Sequence, residues 1–342
     1  MLANIALLVI AAVAAYAATS LIRRNATRLG VVQSPNARSS HTVPTPSGGG
    51  VGIVLGGSIA TAAAALTQPW PNILVLVTAL LVAAVGFYDD RRPLPARVRL
   101  AVQVVLVGIA IGLGVPLGAL QQQVGIALPP LLVAALALIA IVYWVNLFNF
   151  MDGIDGIAGS QAIFMCGAAA LLGTLQGSGF TAQTTLWGLL GVGAATAGFL
   201  LQNWPPARIF MGDAGSTYLG FVIAILALVT IAGGWLTLPQ WVILAAAFVT
   251  DATVTLIRRL MLGEKVFEAH RRHAYQVLSR RWSSHHRVTL SFIGLNLIWL
   301  LPLAYAAPSW GWLAVGVAYL PLIGLALYLG AGAPERPNLG RA

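Results

Sequence analysis

The chain has 342 residues, 58% apolar and 8% charged, where a soluble globular protein carries about 25% charged residues. Nineteen Lys and Arg against nine Asp and Glu leave a formal charge of +10, and the single cysteine, Cys166, rules out an internal disulfide and implies no oxidising compartment. A soluble enzyme is excluded, and the sequence reads as one all-α polytopic membrane domain over residues 1–342.

In chain order, apolar runs long enough to cross a bilayer lie near 2–22, 48–66, 71–88, 98–118, 130–148, 156–175, 182–202, 216–233, 238–257, 288–308 and 311–330, which predicts about 11 transmembrane helices. The first run is followed by Arg23, Arg24 and Arg28, whereas a signal peptide carries its positive charges in front. It is therefore expected to be a retained span with its amino end outside. The inner segments are then 23–47, 89–97, 149–155, 203–215, 258–287 and 331–342, and all nineteen Lys and Arg fall in them or within two residues of them. The acidic residues and all five histidines (His41, His270, His273, His285, His286) gather on the same side. A carrier tends to hold acidic groups near the midplane on broken helices. Acidic groups at helix ends, level with one surface, fit an interfacial enzyme acting on a lipid and a water-soluble substrate.

The first inner loop runs from Ser34 through Arg38 and His41 to Gly48-Gly49-Gly50. The triple glycine serves either close helix packing or the approach of a backbone to phosphate. Asp89-Asp90 ends the third span, followed by Arg91, Arg92, Arg97 and Arg99. Adjacent carboxylates repel, so the pair is either a water-facing terminus matched to the arginines or a site that includes a base. Asn146, Asn149, Asp152 and Asp155 recur every three residues, and Gly153 and Gly156 predict that the helix unwinds there into a polar loop. In Phe210-Met211-Gly212-Asp213-Ala214-Gly215-Ser216, Asp213 either caps a helix starting near Ser216 or belongs to a site. Helices starting near Ser216, Gly156 and Val98 turn their amino ends to the inner face, where they attract phosphate, and carboxylates beside them can hold a hard dication such as Mg²⁺. The 258–287 loop carries Glu268-Ala269-His270-Arg271-Arg272-His273. Its basic charge attracts anionic lipid, and arginines with histidines make a diphosphate clamp. No cysteine lies nearby to complete a zinc set. Asp251, near the inner end of the ninth span, is either support for the site or a partner of Arg258.

From Asn36 to about His286 the sequence resembles the polyprenyl-phosphate N-acetylhexosamine-1-phosphate transferases. The resemblance rests on Asp89-Asp90, on Asn149-Phe150-Met151-Asp152-Gly153-Ile154-Asp155-Gly156, on Phe210 to Ser216 and on His270-Arg271-Arg272-His273. It implies transfer of a sugar-1-phosphate from a UDP-N-acetylhexosamine to undecaprenyl phosphate at the inner leaflet of a bacterial plasma membrane, with release of UMP. The amino terminus would be periplasmic, and the active site and carboxyl terminus cytoplasmic. The implied cofactor is Mg²⁺, with Mn²⁺ as a substitute, held by Asp213. The resemblance implies that Asp89 and Asp90 hold or deprotonate the lipid phosphate, and that Asn149, Asp152 and Asp155 bind the nucleotide and shape the metal site. It makes His270, Arg271 and His273 the diphosphate clamp, with Arg38, His41 and Phe210 as further substrate contacts. The implied partners are the two substrates, membrane lipid and a second copy in a homodimer, and no nucleic acid.

The muramoyl-pentapeptide branch is the alternative. It expects a lysine after the acidic pair and a continuous histidine run, where this chain has arginines and His-Arg-Arg-His. Leu94-Pro95-Ala96-Arg97 and eleven spans resemble the branch that initiates O-antigen or enterobacterial common antigen, whose donors are UDP-GlcNAc or its deoxy relatives. A carrier for a phosphorylated metabolite predicts polar residues deep in the spans, which are scarce. A CDP-alcohol phosphotransferase predicts a spaced aspartate motif on one continuous helix, which is absent.

Overall fold

The structure, a computed structural model, describes residues 2–34, 43–65, 69–115, 117–176, 179, 184–265 and 270–334. Arg38, His41 and Glu268 lie outside the described residues.

Helix α1 (Leu2–Leu29) leads into a two-residue antiparallel ribbon, β1 (Val32–Gln33) with β2 (Thr45–Pro46). There follow α2 (Val51–Ala65), α3 (Pro69–Arg91), α4 (Ala96–Gly112), the short α5 (Gly118–Val124), α6 (Pro130–Phe150), α7 (Ile157–Gln176), α8 (Thr184–Asn203) and α9 (Gly212–Ala232). Then come α10 (Leu238–Leu244), α11 (Ala246–Met261), the amphipathic α12 (Ala274–Trp282), α13 (His285–Trp310) with a π-turn at Asn296–Leu300, and α14 (Trp312–Leu329). Local chemistry sets the starts. Pro130 opens α6, and at α10 the Thr237 and Gln240 side chains cap each other's backbone.

Each of the eleven predicted runs coincides with a helix or a bent pair of helices. Among the described residues eight helices are long and apolar enough to cross a membrane, and nine if α10 and α11, bent by 70°, form one span. The other two, α2 with 15 residues and α4 with 17, rise less than the ~30 Å of a hydrocarbon core. The bend falls at Ala245, where the Leu244 carbonyl takes a hydrogen bond from Gln161 of α7 at 3.0 Å. Asn296, at the π-turn, donates in turn to Gln161 at 2.7 Å.

Helices α7 and α9 are buried along most of their length, whereas α1 presents Leu2, Val9, Val13 and Leu21 outward. Helix α9 packs against α3 and α6, and α8 against α1, α2 and α7. Two glycines allow the contacts that place the start of α9. A Cβ on Gly86 of α3 would stand 2.6 Å from the Asp213 carbonyl oxygen, and a Cβ on Gly50 would overlap the Gly215 backbone. The triple glycine therefore serves packing: the Gly49 and Gly50 amides donate to the Phe210 and Met211 carbonyls at 2.9 and 2.8 Å.

Gly50→Ala should lower the unfolding midpoint of the purified protein in detergent by several degrees, since overpacking costs about 1–3 kcal/mol. Gly108→Ala in α4, where a Cβ meets nothing, should leave the midpoint unchanged or raise it. An unchanged midpoint for Gly50→Ala would show that these backbones are not in contact.

Candidate active site

Asp89 and Asp90 sit in the last turn of α3 and face different partners. Asp90 lies on the amino end of α9: its Oδ1 accepts from the Asp213 amide at 2.8 Å and its Oδ2 from the Ala214 amide at 3.2 Å. A carboxylate there satisfies two unpaired amides and meets the positive end of the helix dipole. Helix α9 starts at Gly212, not near Ser216, so Asp213 stands in its first turn and Asp90 supplies the cap. Two expectations change accordingly. Asp213 does not cap its own helix, and the first amides of α9 are already spent on Asp90 and are not available to a phosphate. Likewise the Gly156 amide, at the start of α7, donates to Asn203 at 3.0 Å.

Asp89 turns to Arg99 of α4. One guanidinium nitrogen, Nη1, lies 2.7 Å from Asp89 Oδ2 and 2.9 Å from Asp213 Oδ2, so a single cation joins carboxylates of two spans. The Leu94 amide holds the other oxygen of Asp89. From α6, Asn149 Nδ2 donates to Asp213 Oδ1 at 2.9 Å and to Ser216 Oγ at 2.8 Å. Asn146, one turn earlier, donates to Gln103 of α4. These polar residues close the inner end of a narrow slot between α3, α4, α6 and α9, whose walls include Val82, Val102 and Leu106.

Helix α6 ends at Phe150, and the predicted unwinding follows as the loop 151–156, with Gly156 at φ +74°. Among the described residues no hydrogen-bond donor reaches the Asp152 side chain. Burial, reinforced by the charges of Asp213, Asp90 and Asp155, holds its carboxyl well above the usual range. Asp155 is anchored: Oδ1 lies 3.2 Å from His285 Nδ1, and Oδ2 accepts from the Ala207 amide at 3.0 Å. The Phe210 amide donates to the Pro46 carbonyl at 2.8 Å, which ties the segment before Asp213 to β2.

The histidine segment reaches the same loop. Tyr275 Oη donates to the Phe150 carbonyl at 3.0 Å, and a Cβ on Gly153 would strike that hydroxyl. His273 is 4% exposed, its ring 4.8 Å from that of His270 and 5.6 Å from that of Tyr275. Burial, with the nearby His273 and arginine charges, pushes His270 down to about 3, so it is neutral at physiological pH. Arg272 and Arg259 hold Glu264 below the usual carboxylate range, while the Arg271 carbonyl accepts from Arg280 at 2.7 Å. Of the two roles open to Asp251, the structure shows support for the site. It is 3% exposed and caps α12, accepting from the Ala274 amide at 2.7 Å and the Tyr275 amide at 2.9 Å. Arg258 donates instead to the Ala331 carbonyl. A lone acid inside an apolar run was the signal for this role.

Among the described residues no three His, Cys, Asp or Glu side chains are placed to hold a metal by themselves. Mg²⁺ needs no such cage, since it takes one or two carboxylates and completes its shell with water and substrate phosphates. The acidic set around Asp213 fits that habit, with Asp152 short of donors. An ionised Asp152 destabilises the folded chain, so Asp152→Asn should raise the unfolding midpoint in divalent-free buffer. Because the folded-state pKa is raised, the gain should be largest near pH 8, about 2–4 °C, and vanish only well below the ordinary aspartate value of about 4, where Asp152 is protonated in the folded and the unfolded chain alike. A pH-independent difference would contradict this.

Residues 72–231, from α3 to near the end of α9, match the family described as Glycosyl transferase family 4. The decaprenyl-phosphate N-acetylglucosaminephosphotransferase of Mycobacterium tuberculosis (strain CDC 1551 / Oshkosh) is 31% identical over 330 residues, covering 87% of this chain and 80% of that protein. The undecaprenyl-phosphate alpha-N-acetylglucosaminyl 1-phosphate transferase of Yersinia pestis is 30% identical over 272 residues, covering 75% and 72%. With the acidic pair, the polar loop and Asp213 all inside the matched region, the chain belongs to glycosyl transferase family 4, among the polyprenyl-phosphate N-acetylhexosamine-1-phosphate transferases.

Proposed function

We propose that the protein transfers N-acetylglucosamine-1-phosphate from UDP-N-acetylglucosamine to undecaprenyl phosphate or a similar polyprenyl phosphate. The products are UMP and a polyprenyl-diphospho-sugar that initiates a cell-envelope polysaccharide of the O-antigen kind. The observation that carries this reading is the junction of three separate motifs, in which Asp90 caps the helix bearing Asp213, Arg99 joins Asp213 to Asp89, and Asn149 donates to Asp213. The names of the relatives supply the donor sugar and the class of acceptor. The gathering of charged residues at one end of the bundle supports an active site on the cytoplasmic face of the plasma membrane.

An oxygen of the lipid phosphate attacks the phosphorus that carries the sugar, the diphosphate bridge breaks, and UMP leaves. Such a transfer needs alignment and charge neutralisation more than a covalent group from the protein. Asp213 would hold Mg²⁺ together with water and the donor's phosphates, and the ion would offset their charge. Arg99 stands where the acceptor phosphate meets the acidic pair. Asp90, with both oxygens on helix amides, sets position. Asp152 is the carboxylate left to accept a proton from the acceptor, in line with its raised proton affinity. His270 binds as a neutral hydrogen-bonding group, and Arg271 supplies charge to the diphosphate.

The test is UMP release by purified protein in detergent, given undecaprenyl phosphate, Mg²⁺ and a panel of UDP-N-acetylhexosamines. Release should require lipid and Mg²⁺, favour UDP-N-acetylglucosamine and disappear in Asp213→Ala. Folded protein that releases no UMP with any donor would overturn the reading. In the same assay His270→Gln should lose less than about tenfold, because a neutral hydrogen-bonding side chain replaces another. A loss beyond about a thousandfold would mean that the imidazole itself carries a proton.

A further inference from the structure

We propose that Asp251 is a positioning residue for the nucleotide-sugar donor. It sets the amino end of α12 and the ring of His273, and so places His270 and Arg271 over the loop that carries Asp152. The proposal rests on the transferase reading given above.

Two connections leave this one buried carboxylate. Oδ1 lies 3.3 Å from His273 Nδ1, and the His273 ring is packed against His270. Oδ2 accepts from the Tyr275 amide at 2.9 Å, and the Tyr275 hydroxyl is bonded to Phe150, the last residue of α6. The histidine segment and the aspartate loop are therefore held in register through a residue that meets the first at His273 and reaches the second only through Tyr275. Helix capping alone does not require this arrangement. An ordinary cap is a Ser, Thr or Asp at the cap position itself, at little desolvation cost. Here the cap position is His273, and the acceptor is a carboxylate from another helix, with no arginine or lysine bonded to it among the described residues. Its burial is offset by the Ala274 and Tyr275 amides, the Thr255 hydroxyl and the His273 ring, which together fix α12 against α11.

The experiment is steady-state UMP release with donor and acceptor varied separately, in the wild type, Asp251→Asn, His273→Ala and the double variant. An asparagine keeps one acceptor oxygen and puts an NH₂ against the second helix amide, so α12 loses one of its two anchors. Asp251→Asn should raise KM for UDP-N-acetylglucosamine about tenfold and leave KM for the polyprenyl phosphate within about twofold. In the His273→Ala background it should raise the donor KM by less than in the wild-type background, since one of its two connections is already gone. A fall in kcat alone, an equal rise in both KM values, or full additivity in the double variant would overturn the proposal. If Asp251→Asn fails to fold, Tyr275→Phe decides: it keeps the ring but deletes the bond to Phe150. It should raise the donor KM about threefold, and an unchanged donor KM would overturn the proposal. No UMP from the wild type overturns the transferase reading and this proposal with it, whereas an active wild type with an unchanged Asp251→Asn overturns this proposal alone.

Discussion

A carboxylate at the inner end of a packed span has to find donors, and Asp90 finds them in the first amides of α9. Much of the site follows from that one contact. It brings the last turn of α3 against the first turn of α9, which is possible because Gly86 has no side chain. With the helix start fixed, Asp213 is aimed sideways, within reach of Arg99 from α4 and Asn149 from α6. The glycine turn before α2 then locks the segment leading into Asp213 from the opposite side. Three helices and a loop thus converge on one helix end, and their relative positions are set by hydrogen bonds.

The arrangement concentrates negative charge. Asp89, Asp90, Asp152, Asp155 and Asp213 share a small volume, and the bonded cation is Arg99, with His285 at the edge. Proteins rarely keep so unbalanced a set unless a ligand completes it. On the other side of the polar loop the balance reverses, with arginines and a neutral imidazole at the mouth. A diphosphate donor spanning the two regions would meet positive charge at its outer end and the acidic set, with any cation it holds, at its inner end.

The motifs were legible because composition leaves few alternatives: with 8% charged residues, the few carboxylates stand out at the ends of the apolar runs. The unwinding after Phe150 was legible from Gly153 and Gly156. The opposite destinations of Asp89 and Asp90 were not, because adjacent residues on a helix differ by about 100° and only the neighbouring spans decide what each one meets. Asp251 and its partners are 23 and 24 residues apart, beyond any local pattern. The reading of helix amino ends as phosphate sites missed that a carboxylate from another span could take the amides of α9 first. The eleven runs exceed the eight or nine helices long enough to cross a membrane among the described residues, because α2 and α4 are apolar but have 15 and 17 residues.

The bend between α10 and α11 has a consequence for how the chain is assembled. Leu244 presents its carbonyl at a break in a helix, where hydrocarbon would offer it no donor, and the donor comes from Gln161, more than eighty residues earlier. Helix α7 must therefore already be in place when α10 and α11 leave the translocation machinery, and synthesis from the amino end guarantees that order. Asn296 arrives last and closes the bond from the far side. A rearranged gene that placed α7 behind α11 would encode every contact of the finished protein and still expose a bare carbonyl during insertion.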